Sequence, residues 1–265
     1  MAGKPFARLL LLVAYFSGVS WLFTKGRPTY VKSAAARVCA GAAQVLGLLM
    51  VVAPFSYLID SLRMPLVDHP LRAVDAALDF SWEDYTQFIL RHRGITSVLA
   101  HAYSSIEIQI LVILTICCAD AIPREIEFLQ NYALTMIICV VIGGLLPALG
   151  EPSPFQILVH TEFARVRTGH WHVLDYSTAQ GIVAFPSFHT AFAVVALYSV
   201  RHCAPALLGM VVVNLLLIVS VPTFGGHYLS DMIGGAGVAV VSIMATRRLR
   251  RPKQTAERGP GCAFG

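Results

Sequence analysis

Charge is what this chain has least of. Asp, Glu, Lys and Arg supply 13% of its 265 residues, against about 25% in a soluble domain. With 56% hydrophobic residues and a mean hydropathy of +0.67, the chain reads as an integral membrane protein. Metal-type and disulfide-type cysteine spacing is also missing. Cys39, Cys117, Cys118, Cys139 and Cys203 lie in or beside apolar runs and Cys262 lies in the tail, so all six read as small apolar residues. No repeat or low-complexity stretch stands out. A nucleic-acid patch is absent too, because the basic excess gathers at Arg247, Arg248, Arg250, Arg251 and Lys253, just after the last apolar run. That cluster reads as a cytoplasmic anchor.

What is present is a series of apolar runs. Spans are expected over 6–23, 34–59, 96–118, 132–149, 185–200, 206–224 and 228–245, each near the length a bilayer demands. Lys4 and Arg8 before the first run would also suit a signal peptide, but no small-residue cleavage pattern follows. Two segments do not span. Residues 60–95 interleave polar and apolar positions, with Trp82, Tyr85 and Phe88 at helical spacing, and read as one or two interfacial helices. Residues 150–184 carry Pro152, Pro154, Glu162, Arg165, Arg167, His170, Trp171, His172 and Asp175. The third span is polar on one side, with His101, Tyr103, Ser104, Ser105, Glu107 and Gln109, and these residues are expected to face other helices. Gly234, Gly235, Gly237 and Ala239 in the last span permit close helix approach. The division expected is an N-terminal span and cytoplasmic turn over 1–33, one membrane domain over 34–246, and a basic cytoplasmic tail over 247–265.

The chemistry concentrates in two short stretches, GIVAFPSFHT over 181–190 and GGHYLSD over 225–231. Pro186 suits the first position of a helix, which would leave the amides of Ser187, Phe188 and His189 pointing out as an anion seat. In the second stretch His227 and Asp231 are four apart, so a helix puts the carboxylate within reach of the imidazole. With the basic tail inside, both stretches fall on the outer face, and so do Arg165 and Arg167. Two helix starts, two histidines and one carboxylate describe a phosphoryl-transfer site.

The pair FPSFHT and GGHYLSD resembles the second and third signature motifs of the type-2 phosphatidic acid phosphatase superfamily. Within it, the phenylalanine-proline-serine-x-histidine and histidine-tyrosine-x-x-aspartate forms resemble the branch of inositol phosphorylceramide synthases and their bacterial relatives. Residues 68–85, 103–109 and 145–152 are similar to that branch as well. The resemblance implies an all-α polytopic membrane bundle, a six-helix core with the first span added. It implies His227 as nucleophile, Asp231 as its orienter and His189 as the acid for the leaving oxygen, with no metal and no cofactor. It also suggests a bacterial inner membrane with a periplasmic site.

Two features of the wider superfamily are missing. The arginine six residues before the nucleophilic histidine is Val221 here, and the lysine-rich first motif is absent ahead of FPSFHT. Arg167 and Arg165 are the replacements expected to meet the phosphate, with Ser187 and Phe188 at the helix start. Tyr103, Gln109 and Tyr228 are the expected pocket residues. A rival reading makes His189, His227, Asp231, His170 and His172 zinc ligands, but nearby arginines and helix-start amides favour an anion. The expected partners are a lipid phosphate and the bilayer, with no nucleic acid. Phosphatase, lipid phosphotransferase and non-catalytic lipid-binding bundle are the three functions these residues allow.

Overall fold

The structure, a computed structural model, describes residues 3–25, 29–119, 124–169, 182 and 184–250. Every regular element among them is helical. Five helices are long and apolar enough to cross a membrane. They are α1 (Gly3–Thr24), α2 (Tyr30–Asp60), α7 (Arg124–Leu145), α10 (Ala204–Gly225) and α11 (Leu229–Arg250). Helices α5 (Arg93–Tyr103) and α6 (Ile106–Cys118) are long and apolar enough only as a pair, and they are bent by 52° to one another. The fifth expected span, over 185–200, is the short helix α9 (Phe188–Val200), whose 13 residues reach about 20 Å.

The third span is where the pattern misleads. Its helix breaks at Ser104-Ser105, so one polar face does not run the whole length. Tyr103 and Gln109 turn inward, while His101, Ser104 and Glu107 are exposed. The fourth span begins at Arg124 and not at 132, because its early charges have partners on neighbouring helices. Glu125 pairs with Arg37 of α2 at 3.1 Å, and Glu127 pairs with Arg201 at 3.2 Å and accepts from the Tyr198 hydroxyl at 2.7 Å. Pairing removes the cost that would keep those carboxylates out of the apolar layer.

The core is shared by α2, α6, α7, α9, α10 and α11, with Ile113, Leu114, Ala191, Ala193, Ala196, Leu217 and Ala239 sealed from solvent. Helix α1 packs on α2 outside it. The segment 60–95 forms two amphipathic helices as its rhythm predicts. Helix α3 (Asp68–Ala77) lies against α11, and α4 (Trp82–Arg91) lies against α10. Helix α8 (Ile157–Thr168) occupies the second non-spanning segment. His170, Trp171, His172, Asp175, Arg251, Lys253 and Cys262 fall outside the described residues. Cys39, Cys117, Cys118, Cys139 and Cys203 are free thiols.

Candidate functional site

The site begins at the last turn of α10. The final carbonyls of a helix have no partner within it, and here other segments supply donors. Trp82 of α4 donates to Pro222 O at 2.7 Å, and one turn earlier in α10 Tyr85 of α4 donates to Val219 O at 2.6 Å. Ser153 donates to Thr223 O at 2.6 Å and Gln156 to Phe224 O at 2.7 Å. The helix end is thereby fixed from two sides. Gly226 then takes a left-handed conformation with φ of 64°, a region that only glycine enters freely. Its carbonyl accepts from Glu151 N at 2.7 Å.

This turn delivers His227, buried, just ahead of α11. Its Nδ1 lies 3.1 Å from Asp231 Oδ2, and the same oxygen accepts from Tyr228 N at 3.0 Å. The spacing of four thus brings the pair together although His227 precedes the helix proper. An ionised Asp231 accepts the Nδ1 proton, which leaves Nε2 as the bare nitrogen. The His227 ring meets Gly225 through its Cδ2 and Nε2 atoms. A Cβ at position 225 would fall 2.4 Å from Cδ2, 3.0 Å from Nε2 and 3.1 Å from the Tyr103 hydroxyl. Nε2 and Tyr103 therefore border the same small space.

The second histidine joins from α9. The His189 ring stacks on Tyr103 with centroids 4.1 Å apart and planes 12° from parallel, within electrostatic reach of His227. Ser187 caps α9, its Oγ accepting from Thr190 N at 3.4 Å. Pro186 accordingly stands ahead of the cap and not at the first helical position, because the serine hydroxyl satisfies the first turn. The Ser187 amide, expected to be free for an anion, donates instead to Asp231 O at 2.9 Å. That bond ties the two motifs directly. Of the three amides expected to form an anion seat, those of Phe188 and His189 lie in the first turn of α9, where no intrahelical acceptor exists. The Phe188 ring itself packs edge-on against Tyr132.

The other expected residues lie further out. Arg165 is ion-paired with Glu162 at 2.6 Å on the exposed side of α8. Arg167 donates to Met64 O at 2.7 Å, and its guanidinium lies 5.3 Å over the Phe163 ring. Neither is hydrogen-bonded to a site histidine, Asp231 or Ser187. Gln109 bridges α6 to α10 through Asn214 at 2.9 Å, a buried structural bond. Tyr228 is fully buried, and its hydroxyl donates to Asp68 Oδ1 at 3.2 Å and accepts from Arg72 at 3.0 Å. Burial, with the carboxylates of Asp68 and Glu151 nearby, pushes its phenol above the ordinary range. Among the described residues, no three His, Cys, Asp or Glu side chains gather closely enough to hold a metal ion.

Four residues of this neighbourhood escape the sequence reading. Asp68, Arg72 and Asp75 project from one face of α3, at i, i+4 and i+7, onto the second motif and the 149–151 turn. Gln156 reaches Tyr103 as well as Phe224. The signal for the first three was their helical spacing within an amphipathic segment, which the apolar rhythm of Leu71, Val74 and Leu78 overshadowed. Compared with known protein families, the chain matches the model described as the PAP2 superfamily over residues 69–245. No curated protein and no solved structure matches.

Proposed function

Because the chain belongs to the PAP2 superfamily, we propose that it is a lipid phosphate phosphatase working through a phosphohistidine. It is an integral membrane protein, with five helices long and apolar enough to cross a bilayer. Its superfamily supports a phosphatase- or phosphotransferase-type reaction on a lipid. The observation that carries the finer reading is the His227–Asp231 pair at 3.1 Å with His189 stacked beside it on Tyr103. In this reading His227 Nε2 attacks phosphorus while Nδ1–H stays on Asp231, so that the developing imidazolium is stabilised. His189 gives its proton to the departing lipid oxygen, then takes one from the water that cleaves the phosphorus–nitrogen bond. In this reading the Phe188 and His189 amides, at the start of α9, receive the phosphoryl charge.

Of the two α8 arginines, Arg167 has the stronger case as the phosphate-binding cation. Its Nη1 is buried with no acceptor, whereas Arg165 is spent on Glu162. Phosphatidic acid-like and polyprenyl phosphates are the proposed substrates, met on the outer face of a bacterial inner membrane. The site lies at the N-terminal end of α11, opposite the end bearing Arg247, Arg248 and Arg250, and that supports the orientation.

The test is phosphate release from a panel of lipid phosphates by purified protein in detergent, with EDTA present. Release that persists in EDTA, with radiolabelled phosphate trapped on the protein, supports the reading. Trapped label without release would make the acceptor a lipid hydroxyl and the protein a phosphotransferase. Neither release nor label with any lipid would sink the enzyme reading and leave a lipid-binding bundle. Tyr103→Leu offers a finer check. Losing a ring stack worth about 0.5–1.5 kcal/mol should lower kcat by about two- to tenfold, because the acid is no longer held to one orientation. Steady-state kinetics on the best lipid decides it.

A further inference from the structure

Tyrosine is a poor helix cap, and Tyr228 stands immediately ahead of α11. The first amides of that helix must therefore find acceptors elsewhere. They find two carboxylates. Asp231 reaches back from the first turn, its Oδ2 accepting from Tyr228 N at 3.0 Å and facing His227 Nδ1 at 3.1 Å. Asp75 reaches across from α3 and takes the next two, Leu229 N on Oδ2 at 3.0 Å and Ser230 N on Oδ1 at 3.3 Å. It is buried, and its charge bears on Asp231. On the same face of α3, Asp68 and Arg72 both bond the Tyr228 hydroxyl. The helix is thus braced against this turn along its whole length.

We propose that Asp75 is a positioning residue for the His227–Asp231 pair. It acts by occupying the two amides that would otherwise draw the Asp231 carboxylate away from the imidazole. The supporting detail is on Asp231 itself, whose Oδ1 is buried and has no partner. Without Asp75, two unpaired N–H groups at the positive end of α11 would face that idle oxygen. Turning the carboxylate toward them satisfies both and loosens its hold on His227 Nδ1. The imidazole then loses the acceptor that fixes its tautomer and aim. Asp75 thereby keeps a strong local competitor out of the site without touching substrate.

The inference rests on the reading of His227 as nucleophile, and the experiment separates the two. Asp75→Ala and Asp75→Asn are made in the full-length protein, each also combined with Asp231→Asn. Asp75→Ala should lower kcat about tenfold to a hundredfold, the range of lost supporting contacts in other sites, with KM within about threefold of wild type. Asp75→Asn, which keeps one carbonyl acceptor, should recover part of the loss. In the Asp231→Asn background, Asp75→Ala should cost less than about threefold more, since the two residues act as a unit. Losses that simply multiply, or a folded Asp75→Ala protein with wild-type kcat, would overturn the proposal. If Asp75→Ala does not fold, Asp75→Asn carries the same cycle. Amide hydrogen exchange over 226–232 is read in parallel and should speed up at Leu229 and Ser230. Unchanged exchange overturns the clamp whatever the activity. Wild-type turnover that survives His227→Ala sinks the nucleophile reading instead, and exchange then decides the clamp alone.

Discussion

Alanine at position 227 is expected to end phosphate release and to leave no label on the protein. The loss should be at least about 10⁴-fold in kcat, the scale found when a nucleophile is removed from a covalent mechanism. Among the described residues the geometry gives no stand-in. The Tyr103 hydroxyl borders the same space as Nε2, but a phenol is a weak nucleophile. His189 is held in its stack on Tyr103 and is assigned to proton transfer. Asp231→Asn is the informative companion. An asparagine retains the size of the side chain but offers an amide that no longer selects the Nδ1-protonated imidazole, so turnover should fall about 10³- to 10⁴-fold. Lipid binding should persist in that variant. Measured together, binding that persists while turnover collapses identifies an enzyme. Turnover by His227→Ala near the wild-type rate would remove His227 from the mechanism.

Much of this site was legible because its decisive relations are short-range. His227 and Asp231 are one helical turn apart, and any helix start at that point brings imidazole and carboxylate together. Ser187 before Phe188 and His189 signals a helix start by the same local logic. The relations that were not legible join distant positions. Asp75 meets Leu229 across 154 positions, and Asp68 meets Gly150 across 82. Both are ordinary acidic residues of an amphipathic segment until the fold supplies the amides they cap. The early charges of α7 follow the same rule, since Glu125 and Glu127 lie within the helix only because Arg37 and Arg201 are there to meet them. A hydropathy pattern registers the charge and is blind to the partner. Likewise, the break at Ser104-Ser105 lies in a run that reads as one span, because hydroxyl residues are compatible with either an intact or a broken helix. Arg167 shows the limit from the other direction. Its place in the sequence, just before the second motif, suggested a phosphate ligand, but nothing local foretold that one of its nitrogens, Nη2, would anchor α8 to Met64 O while Nη1 is left without an acceptor.

Gly235→Ala should separate the two motifs without altering any reacting group. A Cβ built at position 235 falls 2.1 Å from Ser187 O, 3.1 Å from Ser187 C and 3.4 Å from Ala191 N. These are backbone atoms of the first turn of α9, so no side chain can swing aside. The same serine donates its amide to Asp231 O at 2.9 Å, and relief of the clash therefore stretches the bond between the motifs. The helices must part by about an ångström, a displacement large enough to cost about 10²-fold in rate when reacting groups are misaligned. Overpacking of this kind also costs about 1–3 kcal/mol of stability, readable as a lower unfolding midpoint in detergent. Gly237→Ala is the control. That glycine, grouped by sequence with Gly234 and Gly235, has nothing within 4 Å of its Cβ position, so its substitution should leave kcat unchanged and hold or slightly raise the midpoint, as alanine is the better helix former. If Gly235→Ala matched that control in rate and stability, the α9–α11 contact would not be what sets His189 against His227. The alignment would then depend on the Tyr103 stack, and the Tyr103→Leu loss should exceed the tenfold expected above.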